Sequence, residues 1–250
     1  MFSANAKTLS NLQFVVILSA ILGCVFLDFS IYYVLSSVVF FYLYSVLGIS
    51  ITMHRYYSHK SFEFASPIVK WFSTLMAIVS LRGSPLGWTY IHRLHHSHTD
   101  TESDPHSPHY LGLKLFFLKD IDPHSKKLNM FVVKDMMNKH QLFINKYYFL
   151  IVLCWVLCLM VINPLLVYFV WVLPAAVVHL SQAAFNYFAH TRGYRNFDSR
   201  DKSTNNIFLW PFIMGDAWHN NHHSNAKNLT TKVKQWEVDP AAWFIKVVKK

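Results

Sequence analysis

His92-Arg93-Leu94-His95-His96 and His219-Asn220-Asn221-His222-His223 repeat one pattern: a histidine, then two more at three and four positions further on. On a helix these positions fall within about 100° of one another, so each string aims three imidazoles to one side. His54 and His59, the ends of His54-Arg55-Tyr56-Tyr57-Ser58-His59, stand five apart. That is about 140° on an ideal helix, which predicts that the backbone turns between them. His190 stands alone. Together these make nine candidate metal ligands, too many for one ion, since a tetrahedral zinc takes about four. Two metals with four or five ligands each account for them. Nitrogen ligands suit iron, zinc or copper, but zinc cannot change oxidation state and two redox-active ions suit two-electron O2 chemistry, so iron is expected. No His-Glu-x-x-His occurs and no Glu lies three residues before a His, which excludes the zincin motif and the carboxylate-bridged diiron helix. His98, His106, His109, His124 and His140 fall outside the pattern and read as solvated loop or interface residues.

The clusters sit in a chain too apolar for an ordinary soluble domain of 250 residues: 53% are hydrophobic and 17% aromatic, with a mean hydropathy of +0.25. Four stretches, 11–27, 31–53, 147–162 and 165–188, could each cross a bilayer, which takes roughly 20 residues. They pair as two hairpins with turns at Asp28-Phe29-Ser30 and Asn163-Pro164. The expectation is an all-α integral membrane protein, one domain with four transmembrane helices, whose helical cap (54–146 and 189–250) holds a dimetal site. Neither turn contains Lys or Arg, so all 23 basic residues fall on the opposite face, which the positive-inside rule makes cytoplasmic together with both termini. A fifth apolar stretch, 68–81, is shorter and is interrupted by Lys70. Crossing alone, it would put the first two histidine clusters on opposite sides, so it is expected in the interface or against the core. The first apolar run follows Lys7 without a small-residue cleavage site and reads as a retained anchor. Cys24, Cys154 and Cys158 lie within apolar stretches, away from the histidines, and read as packing residues. The formal charge of +10 is spread around the apolar segments without a basic-aromatic pattern, which points to anionic lipid or acidic partners and away from nucleic acid.

The fourth span carries a polar stripe. His179, Gln182 and Asn186 lie about 20°, 80° and 40° from His190 around the helix. Asn186 could reach a metal through water. His179, roughly 16 Å deeper than His190, and Gln182 could line a substrate cavity or hydrogen-bond another helix. Trp88 lies four residues before His92, within reach of the same space. Arg55, Arg93, Arg192 and Arg195 flank the clusters and read first as salt-bridge or lipid-interface residues, with a headgroup or CoA phosphate as the second role, for which Arg93 and Arg192 are the candidates.

These strings resemble the membrane fatty acyl desaturases, especially the stearoyl-CoA or Δ9 branch. HRYYSHKSF (54–62) resembles the first histidine box, HRLHH with TDTESDPHSP (92–96, 99–108) the second, and HNNHH (219–223) the third. NYFAH (186–190) followed by GYR, and the late WEVDPAAW (236–243), fit the same branch. The likeness runs over about 48–243. It implies a four-span, mushroom-like protein with two irons held by the nine histidines and by Asn186 through water, and an acyl chain in a bent tunnel beneath them. One departure is Gly215-Asp216-Ala217, where the family has Gly-Glu-Gly or a similar triplet; the shorter carboxylate bears on an outer contact of the site. No cytochrome b5 haem motif is fused, so electrons are expected from a separate ferredoxin- or cytochrome b5-type donor. The substrate would be a saturated acyl chain on CoA or lipid, with O2 as co-substrate, because an unactivated C–H bond is beyond acid or base chemistry. Two rivals stand beside this reading: a hydroxylase or ketolase of lipids, alkanes or carotenoids on the same scaffold, and a non-enzymatic membrane metal-binding or transport protein, whose histidines would line a path through the bilayer.

Overall fold

In the N-terminal helix α1 (Phe2–Phe26) the residues with small or polar side chains decide the packing. Gln13, Val16, Ala20 and Gly23 recur at helical spacing and are buried, whereas Phe14, Val15, Leu18, Ile21, Leu22, Val25 and Phe26 are exposed. An apolar exposed face on that scale suits lipid. The computed structural model describes residues 2–116 and 129–250, so His124 lies outside the described residues. The helices that build the bundle and the site are α2 (Ile31–Ser58), α3 (Pro67–Val79), α4 (Pro85–His98), α5 (Lys139–Lys146), α6 (Tyr148–Ile162), α7 (Pro164–Phe188), α8 (Ile207–Ala217), α9 (His219–Ser224) and α10 (Pro240–Val248), with short helical turns at Pro108–Leu111, Gly112–Phe116 and Met130–Met136 between α4 and α5. Among the described residues no strand forms; isolated bridges such as Tyr194 to Asn205 and Asn205 to Trp218 tie the loops around the third histidine string.

Three helices are long and apolar enough to cross a membrane: Lys7–Phe26, Ile31–Ser58 and Pro164–Phe188. A fourth crossing arises if α5 and α6, bent by 67° at Tyr147, count as one. All four expected stretches thus fall on apolar helices. The α1 stripe meets α7, where a Cβ at Gly23 would overlap the Tyr168 ring and Tyr168 Oη donates to the Ala20 carbonyl (2.8 Å). Helix α2 joins α7 through Ser37 Oγ and Tyr44 Oη, which donate to the Phe169 and Val170 carbonyls (2.6 and 2.8 Å).

From Leu43 to Ser58, α2 is a π-helix. Here the backbone bonds run from i to i+5, so residues five apart stack one turn above the other. Thr52 and Ser58 hydroxyls follow the same pitch, donating to the Leu47 and Met53 carbonyls (both 2.8 Å). His59 N–H continues it by donating to the His54 carbonyl (3.1 Å). The expected turn between these histidines does not occur; the wider helix brings both rings to one side instead.

Helix α3 runs back along the π-segment. Its inner face, including Ser73, Met76 and Ala77, is buried, and Ile68, Trp71 and Phe72 are exposed. At 13 residues it is shorter than the helices long enough to cross a membrane. The turn at Ser80–Ser84, with Leu81 at φ 60° and Gly83 at φ 96°, sends α4 back toward His54. Spanning helices satisfy this turn: Tyr148 Oη, Trp171 Nε1 and Gln13 Nε2 donate to the carbonyls of Ile78 (3.1 Å), Val79 (3.0 Å) and Leu81 (2.6 Å). Irregular backbone among apolar helices persists only with such partners. Ser84 and Pro85 then start α4 as N-cap and first residue.

The closest approach of α2 and α3 is at Gly48, where a Cβ would lie 2.8 Å from the Ala77 nitrogen and 2.9 Å from its Cα. Backbone cannot yield as a side-chain tip does. Gly48→Ala is expected to destabilise the protein by about 1–3 kcal/mol, read as a lower melting temperature and a lower yield of folded protein in detergent.

Candidate metal centre

The three strings and His190 converge at one end of the bundle. The π-pitch of α2 delivers His54 and His59, α4 delivers His92, His95 and His96, the end of α7 leads to His190, and α9 delivers His219, His222 and His223. Nine rings form two groups, His54, His59, His92, His96 and His222 in one, and His95, His190, His219 and His223 in the other. Within each group the ligand-capable atoms all lie within 4.8 Å of one another.

Carboxylates fix which nitrogen faces inward. An ionised carboxylate only accepts, so a ring nitrogen bonded to it carries the proton. His54 Nδ1–H donates to Asp216 Oδ2 (3.2 Å), His95 Nδ1–H to Asp104 (3.0 Å), His190 Nδ1–H to Asp100 Oδ2 (3.1 Å) and His223 Nδ1–H to Asp201 Oδ2 (3.0 Å). The Nε2 atoms of these four rings are then bare acceptors, and they point at other Nε2 atoms. His54 faces His222 at 3.0 Å, His190 faces His219 at 2.9 Å and His95 faces His223 at 3.3 Å. In the last pair both rings are held by carboxylates, so no proton lies between them. Lone pairs aimed at one another across such distances fit a shared cation, and the carboxylates are the outer partners that metal-bound histidines need. An all-nitrogen donor set in two adjoining pockets suits two ions of the iron, copper or zinc type.

The orienting carboxylates are themselves fixed. Asp104 accepts the Asp100 and His106 amides (2.8 and 3.0 Å), Asp100 the Lys202 amide (2.6 Å) and Asp201 the Ser203 amide (2.9 Å). Burial alone would raise Asp100 and Asp201, but the His190 and His223 rings, respectively, bring both below the ordinary range. Asp216, in the departing triplet, accepts from His54 with one oxygen and from Arg55 with the other (3.1 Å). Arg55 is fully buried and also donates to both oxygens of Asp239 (3.0 and 3.1 Å). A Cβ at Gly215 would meet Asp239 Oδ1 at 2.1 Å, which leaves glycine there. The late WEVDPAAW string thus supports the third histidine string: Asp239 anchors Arg55, and Glu237 accepts from Asn221 (2.9 Å), Tyr194 (2.5 Å) and Asn196 (2.8 Å).

Trp88 stacks on the His92 ring (centroids 4.8 Å apart). Arg93 is bidentate to Asp135 (2.6 and 3.0 Å) and donates to the Ser58, Tyr57 and Val132 carbonyls. His179 pairs with Arg82 (3.0 Å), Gln182 is buried on α7, and Asn186 is half-buried one turn before His190. Arg192 is exposed. His98 and His140 are exposed, as expected, and His109 donates through Nε2–H to the His190 carbonyl (3.1 Å). His106 departs from its reading as a solvated residue. It is buried and stacks on His95 (4.3 Å), forming a further group with Asp104. The signal was in the sequence, since Asp100, Asp104 and His106 follow the second string closely and a metal-binding histidine requires an Nδ1 partner.

Fold and site together define a helical membrane protein with room for two metals at one end of its bundle; among the described residues no line of histidines runs between the helices as a transport path would require. The fatty acid desaturase family profile matches residues 29–245, and the chain belongs to that family. It is thereby an oxidoreductase of unsaturated fatty acid biosynthesis. It is 28% identical over 201 residues to the sn-1 stearoyl-lipid 9-desaturase of Anabaena variabilis (77% of this chain, 72% of the relative). It is 29% identical over 207 residues to the icosanoyl-CoA 5-desaturase of Limnanthes douglasii (80% and 57%). With the hex-5-enoyl-[acyl-carrier protein] acetylenase of Moorena producens it shares 26% over 221 residues (78% and 67%). These three names cover three acyl carriers.

Asp104→Asn is expected to weaken metal binding in the four-histidine pocket by about 10–100-fold, lowering the bound metal from two ions toward one per chain in elemental analysis. A pH dependence follows for the metal-free protein. Burial, reinforced by neighbouring imidazoles, holds His92, His95, His96, His219 and His222 well below 6.5 and His59 at about 2. The unfolded chain takes up protons below its ordinary histidine pKa of about 6.5 while the folded rings do not, so stability falls as pH drops through that value. The melting temperature of the metal-free protein should decrease between about pH 7.5 and about pH 5.5, and less so with metal bound.

Proposed function

We propose that this chain introduces a cis double bond, with Δ9 as the position to test first, into a saturated acyl chain, using O2 and two irons. The observation that carries the reading is the pair of adjoining pockets in which histidine Nε2 atoms face one another, in the His95–His223 pair with no proton between them. The five-histidine and four-histidine sets would hold one iron each, with Asn186, whose side chain has no hydrogen bond among the described residues, completing the smaller set through water. Bound iron would supply the redox chemistry by which O2, with two electrons from the donor and two protons from solvent, takes two hydrogens from adjacent CH2 groups, so that both oxygen atoms end as water.

The protein's own part is positional. Asp216, Asp104, Asp100 and Asp201 keep the ring protons outside the pockets. Trp88 locks the His92 ring by stacking, and the buried flank of α7 with His179 and Gln182 shapes the space where a chain would lie. Holding one pair of carbons against the site gives regiochemistry, since orientation alone can be worth many orders of magnitude in rate. On this reading the chain spans the bilayer four times, with 54–146 and 189–250 as a cytoplasmic cap and both termini on that side. A separate ferredoxin- or cytochrome b5-type protein delivers the electrons. The substrate is an acyl group on CoA or lipid.

Expression in cells unable to make unsaturated lipids should yield cis-monoenes detectable by gas chromatography of total fatty acids, and His222→Ala should abolish them. An unchanged lipid profile with folded, iron-loaded protein and a competent donor would sink the assignment; hydroxylated or keto products would transfer it to the oxygenating branch of this chemistry.

A further inference from the structure

The side of α7 that faces away from the histidines carries a separate feature. Val177, Leu180, Ala184 and Phe188 lie roughly 120–200° around the helix from Asn186, and with Phe208 and Phe212 of α8 they line an open apolar trough of about 820 Å³. That size is within the ~300–1,000 Å³ of ligand cavities. Its walls are open, since Leu180, Phe208 and Phe212 are exposed. The end nearest His190 is polar. Arg192 lines it, its carbonyl fixed by Thr204 Oγ1–H and Asn206 Nδ2–H (both 2.9 Å). Among the described residues its exposed guanidinium has no carboxylate partner.

An apolar trough on a membrane-length helix, ending at a cation, matches an amphiphile with an anionic head. Within the hydrocarbon the occupant available to that face is an acyl chain. The end of α7 is also a fork: Asn186 and His190 lie on one flank and the trough on the other. A glycerol backbone seated at Arg192 can send one chain down each side. A CoA thioester carries a single chain and leaves the trough without a role. We infer that the trough takes the second acyl chain of an intact diacyl lipid with a phosphate-bearing head at Arg192, whose other chain is the one desaturated. This inference rests on the desaturase reading and names the carrier.

The test gives purified enzyme with its reductant one saturated acyl group in three carriers: diacyl phosphatidylglycerol, its single-chain lyso form, and CoA. Ala184→Phe, which fills the trough, is expected to lower kcat/KM for the diacyl lipid about tenfold and for the lyso form less than about twofold. A diazirine on the non-reacting chain of the diacyl lipid should label wild-type peptides from 177–188 or 207–212. If Ala184→Phe loses activity on every carrier, the labelling decides. Labels scattered over the spanning helices, equal sensitivity of diacyl and lyso lipid, or product from CoA alone overturns the inference while leaving a desaturase. No product from any carrier overturns the desaturase reading itself.

Discussion

Two neutral imidazoles whose outer nitrogens are protonated by contact with carboxylates cannot hydrogen-bond to each other through their inner ones. The His95 and His223 pair is held in that state, 3.3 Å apart, by Asp104 and Asp201. The rest of the architecture serves this frustrated contact. The π-helix brings His54 and His59 edge-to-face on one side, the turn of α3 into α4 returns the second string to the first, and the Asp239–Arg55–Asp216 chain locks the third string against both. Each element is otherwise awkward: a wide helix, a turn among apolar helices, a buried guanidinium. Together they hold lone pairs where an ion belongs.

Much of this was legible in the sequence. The 3,4 spacing of two histidine strings, the placing of four apolar stretches and the parity of crossings between clusters gave nine candidate ligands at one end of the bundle and four apolar helices to expect, but not the division of the rings into groups of five and four. The return of α3 against the core follows from that parity as well. What escaped was whatever depends on a backbone departing from ideal geometry or on partners distant in the chain. Five-residue spacing means divergent rings on an α-helix and rings on one side of a π-helix, here meeting edge-to-face with centroids 4.9 Å apart, and no local signal at 54–59 separates the two. His106, Asp100, Asp104 and Asp201 lie in polar loops, where composition suggests solvent, and Asp216 lies in the last turn of α8; burial comes from the convergence of α4, α7 and α9, which a single stretch does not encode. Arg93, read first as a salt-bridge residue and second as a phosphate contact, meets Asp135 and three carbonyls.

Polar side chains on the spanning helices have a common use. Gln13, Ser37, Tyr44, Tyr148 and Trp171 each donate to a backbone carbonyl of another helix or turn. In a lipid-facing bundle apolar contact alone has little power to fix register, since lipid tails are as good a neighbour as leucine. These few bonds select one alignment of helices, and with it the position of the rings that the helices carry.

Asp216 divides its two oxygens between His54 and Arg55, and Arg55 in turn holds Asp239 at the start of α10. Seating of the C-terminal helix and readiness of the first pocket are therefore linked equilibria, each stabilising the other by the same free energy. On that linkage, filling the first pocket would also tighten the seating of α10.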